Sequence, residues 1–180
     1  MLRYRMARPG VEIREGYHIE NPNQHKASSK ATRAVVILLL LVSAALMAIV
    51  LLGGWSKLAG MQVVLIGWIL VYLLMAFYVA RWNRGVLPLA AALAILMGIF
   101  AAIAGPEWFD RDKTGFTSPA LDESVLGLVT LLIVPVQVLL IGFVMRGFQQ
   151  AWNVEVEVPD GQTYQPGMGY QERGGRTATA

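Results

Sequence analysis

Few side chains in this sequence can do chemistry, and their placement limits what that chemistry is. Cysteine is absent, which excludes disulfides, thiolate metal sites, iron–sulfur clusters and cysteine nucleophiles. The two histidines, His18 and His25, both lie in the polar N-terminal segment. A multi-histidine haem or metal site within the apolar segments is excluded with them, and both rings are expected at the surface. Ser43 stands in an apolar run with no histidine near it in sequence to act as a base. The remaining candidates are the carboxylates Glu107, Asp110, Asp112, Asp122 and Glu123, which share one connecting segment. No catalytic, cofactor-binding or metal-binding residue emerges from this set, and enzymatic activity is not expected.

Two short motifs in that segment match known sites in part. Asp112-Lys113-Thr114-Gly115 matches the phosphorylated core of P-type ATPases. Phe116 follows where that family has threonine, and those enzymes need large cytosolic domains, so the match is read as chance. Asp110-x-Asp112-x-Thr114-Gly115 resembles the opening of an EF-hand calcium loop, with glycine at the sixth position. Leu121 stands where the bidentate glutamate belongs and Glu123 comes two residues late, so a solvated acidic loop is the simpler reading.

The elements that would position these groups are dominated by hydrocarbon. Of the 180 residues, 56% are hydrophobic and 15% charged, with mean hydropathy +0.52; soluble domains run near ~45–50% and ~25%. The charges are segregated, leaving four runs with none: 34–52, 61–80, 86–104 and 125–145. At a rise of about 1.5 Å per residue, each run reaches roughly 30 Å, the thickness of a bilayer's hydrocarbon layer. Only a helix satisfies all backbone groups of such an isolated run in lipid. The fold class expected is all-α: an integral membrane four-helix bundle with polar, partly disordered termini. Its parts are an N-terminal arm (1–33), a four-helix domain (34–146) and a C-terminal tail (147–180). The alternation of Val154, Val156 and Val158 with Glu155 and Glu157 reads as a short strand over 154–158 that must find a partner or stay disordered. Beyond Gln162 the composition predicts disorder.

Basic residues set the orientation. Twelve of the fifteen fall before the first run, between the second and third, or after the fourth; Lys57, Arg111 and Lys113 fall on the other side. The positive-inside rule then places both termini in the cytoplasm and the chain in the cell membrane as a multi-pass protein. Orientation also accounts for the net charge of +3, so no nucleic-acid partner is expected. Trp55, Trp82, Trp108 and Trp152 each follow a run by a few residues, where aromatic belts form; Trp108 and Phe109 would anchor the acidic loop at the interface.

Two features mark the interior. Ala90, Ala94, Gly98 and Ala102 recur every fourth residue on the third run, a small-residue ridge that lets another helix approach. Packing within the chain's own bundle is favoured over a homo-oligomer or partner interface. Pro135 and Gln137 lie mid-run in the fourth segment. Proline removes a backbone donor and kinks a helix; the glutamine must face protein or water. With Ser43, Thr130 or Tyr72 they could form a polar pocket, but an interhelical hydrogen bond that fixes packing is the preferred reading. No ionisable residue occurs within any run, whereas proton-coupled transporters depend on such groups. Small four-helix drug exporters resemble one another in a glutamate on the first helix that this chain lacks. The expectation is a non-enzymatic membrane protein, an accessory or structural subunit of a larger assembly, without cofactor, whose partners are the bilayer and another membrane protein or a second copy. The alternative is an oligomeric carrier or channel for a small or lipidic solute.

Overall fold

The computed structural model describes residues 4–8, 11–110 and 119–172. They divide into two compact units, one drawn from 31–149 and the other from 1–30 together with 150–180. A one-turn helix α1 (Pro22–His25) precedes four long ones, α2 (Ala27–Gly53), α3 (Gln62–Ala80), α4 (Leu87–Glu107) and α5 (Glu123–Gln149). Each of the four is long and apolar enough to cross a membrane. The charge-free runs fall within these helices to within a residue, and α2 starts seven residues earlier than its run. Ser28, Ser29, Lys30, Thr32 and Arg33 continue a helix, although hydropathy alone ends it there.

The turn from α3 to α4 is built by backbone chemistry. Trp82 has φ 59°; its N–H donates to the Val79 carbonyl, and the Asn83 N–H to that of Tyr78, each at 3.0 Å. This is a Schellman cap, whose left-handed position normally takes glycine. The Asn83 side chain then accepts from the Gly85 N–H, and Pro88 in the first turn of α4 starts the next helix. At α5 the start is set by Asp122, whose carboxylate accepts from the N–H of Ser124 at 2.9 Å and from its hydroxyl. Those bonds hold the Asp122 carboxyl below its ordinary value, the Ser124 hydroxyl contributing most.

Helices α4 and α5 pack most closely. The buried face of α4 is Leu87, Ala90, Ala91, Ala94, Met97, Ala101 and Gly105. A Cβ on Gly105 would lie 2.5 Å from Leu131, and one on Gly127 only 2.7 Å from the Phe109 ring. The ridge proposed from sequence veers off this face. Ala90 and Ala94 are fully buried, Gly98 is half-buried against Gln137, and Ala102 is exposed. At 3.6 residues per turn, each i+4 step rotates by about 40°, so the row drifts away and Ala101 and Gly105 take its place.

At the far end of the same unit, Val50, Leu51, Leu58, Trp108 and Leu126 form a tight cluster. Nearby, buried Lys57 donates to the carboxylate of Glu123. The aromatic-belt reading is therefore corrected in part. Trp55 is exposed, but Trp108 and Trp152 are buried at 1% and 0% exposure, packed against protein instead of lying free. Phe109 stays exposed. The Asp112–Gly115 motif and the basic residues Arg111 and Lys113 lie outside the described residues, as do Arg173 and Arg176.

The terminal unit amends the all-α expectation. Among the described residues, six short strands form three antiparallel pairs: β1 (Tyr4–Arg8) with β2 (Val11–Arg14), β3 (Tyr17–Glu20) with β4 (Val156–Pro159), and β5 (Gln162–Gln165) with β6 (Gly169–Glu172). The strand expected at 154–158 pairs within its own chain, with Tyr17 opposite Pro159 and Glu20 opposite Val156. Where disorder was expected beyond Gln162, a hairpin runs through Glu172. Isolated two-stranded ribbons are marginal, and side-chain amides supply the missing ties. Asn21, Asn23 and Gln24 donate to the carbonyls of Val154, Ala151 and Trp152. The Asn21-Pro22-Asn23 stretch that breaks a helix thus clamps the segment leading to β4, around fully buried Trp152 and Val158.

Candidate functional site

An amide inside an apolar span needs partners from its own protein, because leaving it bare costs several kcal/mol, on the order of ~4 or more in a fully apolar medium. Gln137 finds two. The Tyr72 hydroxyl donates to its Oε1 at 2.8 Å, and its Nε2 donates to Ser43 Oγ at 2.9 Å. The Ser43 hydroxyl donates onward to the Leu39 carbonyl one turn back, at 2.7 Å. Ser43, Tyr72 and Gln137 are each at most 1% exposed. The three side chains come from α2, α3 and α5, and Gly98 of α4 packs on the Gln137 stem, where a Cβ would stand 3.6 Å away. All four helices meet at this point. The indole N–H of Trp68, one turn before Tyr72, is buried beside that hydroxyl without completing a hydrogen bond.

The other residues named with Gln137 are elsewhere. Pro135 is exposed, two residues and so about 200° around the helix, and α5 continues through it. Thr130 donates to the Leu126 carbonyl of its own helix at 2.7 Å and takes no part in the junction. Ser43 and Tyr72 were two of three candidates in the sequence; choosing them needs the rotation of each helix, which composition does not carry.

Between α3 and α4 lies an apolar cleft of about 320 Å³. Met61, Leu65 and Trp68 form one wall, and Met97, Phe100 and Ile103 the other, with Glu107 at its edge. Trp68 and Phe100 meet edge to face, 5.9 Å apart at the ring centroids. The short turn holds the helices together at one end, and they contact each other little beyond it.

In the terminal unit, His18 bridges two carboxylates that the sequence separates. Its Nδ1 lies 3.2 Å from Asp160 Oδ1 and its Nε2 3.2 Å from Glu20 Oε1. A protonated ring donates to both, a neutral ring to one. The ring is about one quarter exposed, at 27%, so the surface histidine expected from sequence is instead a clasp between β3 and the turn after β4. Glu20 also accepts from the N–H of Tyr164 at 2.9 Å and the hydroxyl of Thr163 at 3.1 Å. Burial alone would raise the Glu20 carboxyl. The Tyr164 N–H, with help from His18 and Thr163, outweighs it and holds the group below its ordinary value. No signal in the sequence joins His18 to Asp160, 142 residues away. His25 is exposed.

Chemically, the junction at Gln137 is buried, uncharged and bonded on both sides of its amide. No family model, curated protein or solved structure matches this chain.

Proposed function

We propose that the chain is a multi-pass protein of the cell membrane, with both termini cytoplasmic, that acts without catalysis as an accessory or structural subunit of a larger membrane assembly. The observation that carries this reading is the closed Gln137 junction. Gln137 is the most polar side chain deep in any of the apolar runs, and a carrier would need it facing a passage. Instead Ser43 and Tyr72 occupy both ends of its amide at 1% exposure or less, which suits a fastener between helices.

Charge supports the orientation. In the helical unit, Arg33, Arg81, Arg84 and Arg146 stand at one set of helix ends, and Glu107, Asp110, Asp122 and Glu123 at the other. The antiparallel pairing of β3 with β4 also supports both arms lying on one side of a bilayer, as an even number of spans would provide. Apolar surface supports the partner: Val63, Leu70 and Phe77 of α3 are 77%, 60% and 51% exposed, offering a face for another membrane helix or a second copy.

The test is a photo-crosslinker at Leu70 in native membranes, followed by purification in mild detergent. A crosslinked second membrane protein is expected; recovery of this chain alone, with adducts only to lipid, would sink the proposal. Flux lost in Gln137→Leu, with insertion intact, would favour the carrier.

A further inference from the structure

We propose that one end of the helical unit recognises the phosphodiester groups of anionic phospholipids, through Arg33, Arg81 and Arg146, with aromatic rings holding the first two guanidinium groups in place. The Arg33 guanidinium lies 4.3 Å from the Trp82 ring centroid, and that of Arg81 lies 4.8 Å from Phe77. On the same turn Arg84 lies 4.1 Å over Phe148 of α5. The turn between α3 and α4 is thus stapled to α2 by one stacked pair and to α5 by the other. Stacking fixes a guanidinium by its face and leaves its N–H groups in the plane, the fork that fits phosphate oxygens.

Three further observations point to lipid phosphate as the ligand. First, these arginines directly flank the apolar runs: Arg33 precedes Ala34, Arg81 follows Ala80, and Arg146 follows Met145. With the runs filling the hydrocarbon, the guanidiniums stand at the depth of the headgroups. Second, no acidic residue occurs from Ala31 to Pro106. Among the described residues none of Arg33, Arg81 and Arg146 has a carboxylate partner, and Arg81 and Arg146 are exposed. Positive charge without counter-charge at that depth is matched by anionic headgroups. Third, Trp82 occupies a left-handed position, φ 59°, that glycine takes without strain. Closing the turn does not need its ring; supporting Arg33 does.

The inference rests on the chain being inserted in a bilayer, and the experiment separates the two. The purified full chain is reconstituted in phosphatidylcholine vesicles, and the association of spin-labelled phosphatidylglycerol is measured relative to spin-labelled phosphatidylcholine. The wild type is expected to prefer the anionic lipid several-fold, less so at high salt, since each basic residue near a surface contributes roughly fivefold. The triple variant Arg33→Gln, Arg81→Gln, Arg146→Gln is expected to fall to parity. The matching triple lysine variant, and Trp82→Gly, should each lose part of the preference. Parity in the wild type, or an undiminished preference in the glutamine variant, overturns the site. Undiminished preference in the lysine variant reduces it to bare charge and overturns the stacked-guanidinium assignment. If inorganic phosphate at matched ionic strength abolishes the preference, the ligand is free phosphate and the lipid reading is wrong. Failure of the wild type to enter the vesicles removes the membrane reading itself.

Discussion

Gln137 and Glu20 each gather several polar contacts, one in each unit. Interhelical hydrogen bonds in membranes average about 0.6 kcal/mol each, with a maximum near ~1.7. Gln137→Leu loses two and leaves the buried Tyr72 hydroxyl bare, so a destabilisation of about 1–2 kcal/mol is expected. Reversible unfolding in bicelles measures it, and a double-mutant cycle with Tyr72→Phe should return a coupling near one bond; zero coupling would mean the pair does not interact in the membrane. Glu20 makes a pH prediction. Its carboxyl is held below the ordinary value, so its stabilising contribution is full at neutral pH. That contribution begins to fade as pH falls through the ordinary carboxylate range and is gone below the folded value. Following the Tyr164 amide resonance on acidification should reveal this loss, and Glu20→Gln should remove that step from the titration. Gln137 was legible in the sequence because a lone amide in an apolar run is conspicuous. Glu20 was not, since its partners Tyr164 and Thr163 are remote in the chain.

Helix pairs obey geometry that a strict repeat misses. The i+4 row on α4 begins buried at Ala90 and ends exposed at Ala102. Ala94→Leu should therefore overpack the contact with α5, costing about 1–3 kcal/mol, while Ala102→Leu should be nearly neutral. Equal effects in a thermal unfolding assay would contradict the packing described. Gly127→Ala adds a sharper test: its new Cβ would stand 3.2 Å from the Gly105 carbonyl, backbone that cannot swing aside as the Phe109 ring can. The apolar body of each long helix was readable in the sequence, because hydropathy reports directly on apolar length, whereas the polar first turns of α2 were not. The inward packing of Trp108 was not, because a tryptophan just past a span satisfies both an interface and a protein core.

Across the whole molecule, the helical unit and the terminal unit draw on different signals. Charge segregation announces four helices, whereas the sheet joining β3 to β4 depends on residues at opposite ends of the chain, and no local pattern encodes that pairing. Val158→Asp, at a fully buried position of β4, is expected to unravel the terminal unit while helical circular dichroism from the four long helices persists. A single cooperative loss of both would contradict two separable units. The β3–β4 pairing also imposes an order on biogenesis. Strand β3 leaves the ribosome before any of the four long helices, and its partner leaves after all of them. Through the whole interval in which the four long helices are made, the edge of β3 has no β4 to pair with. The pair forms only once β4 has been made, so a chain stalled before Val156 carries a β3 edge without its partner strand.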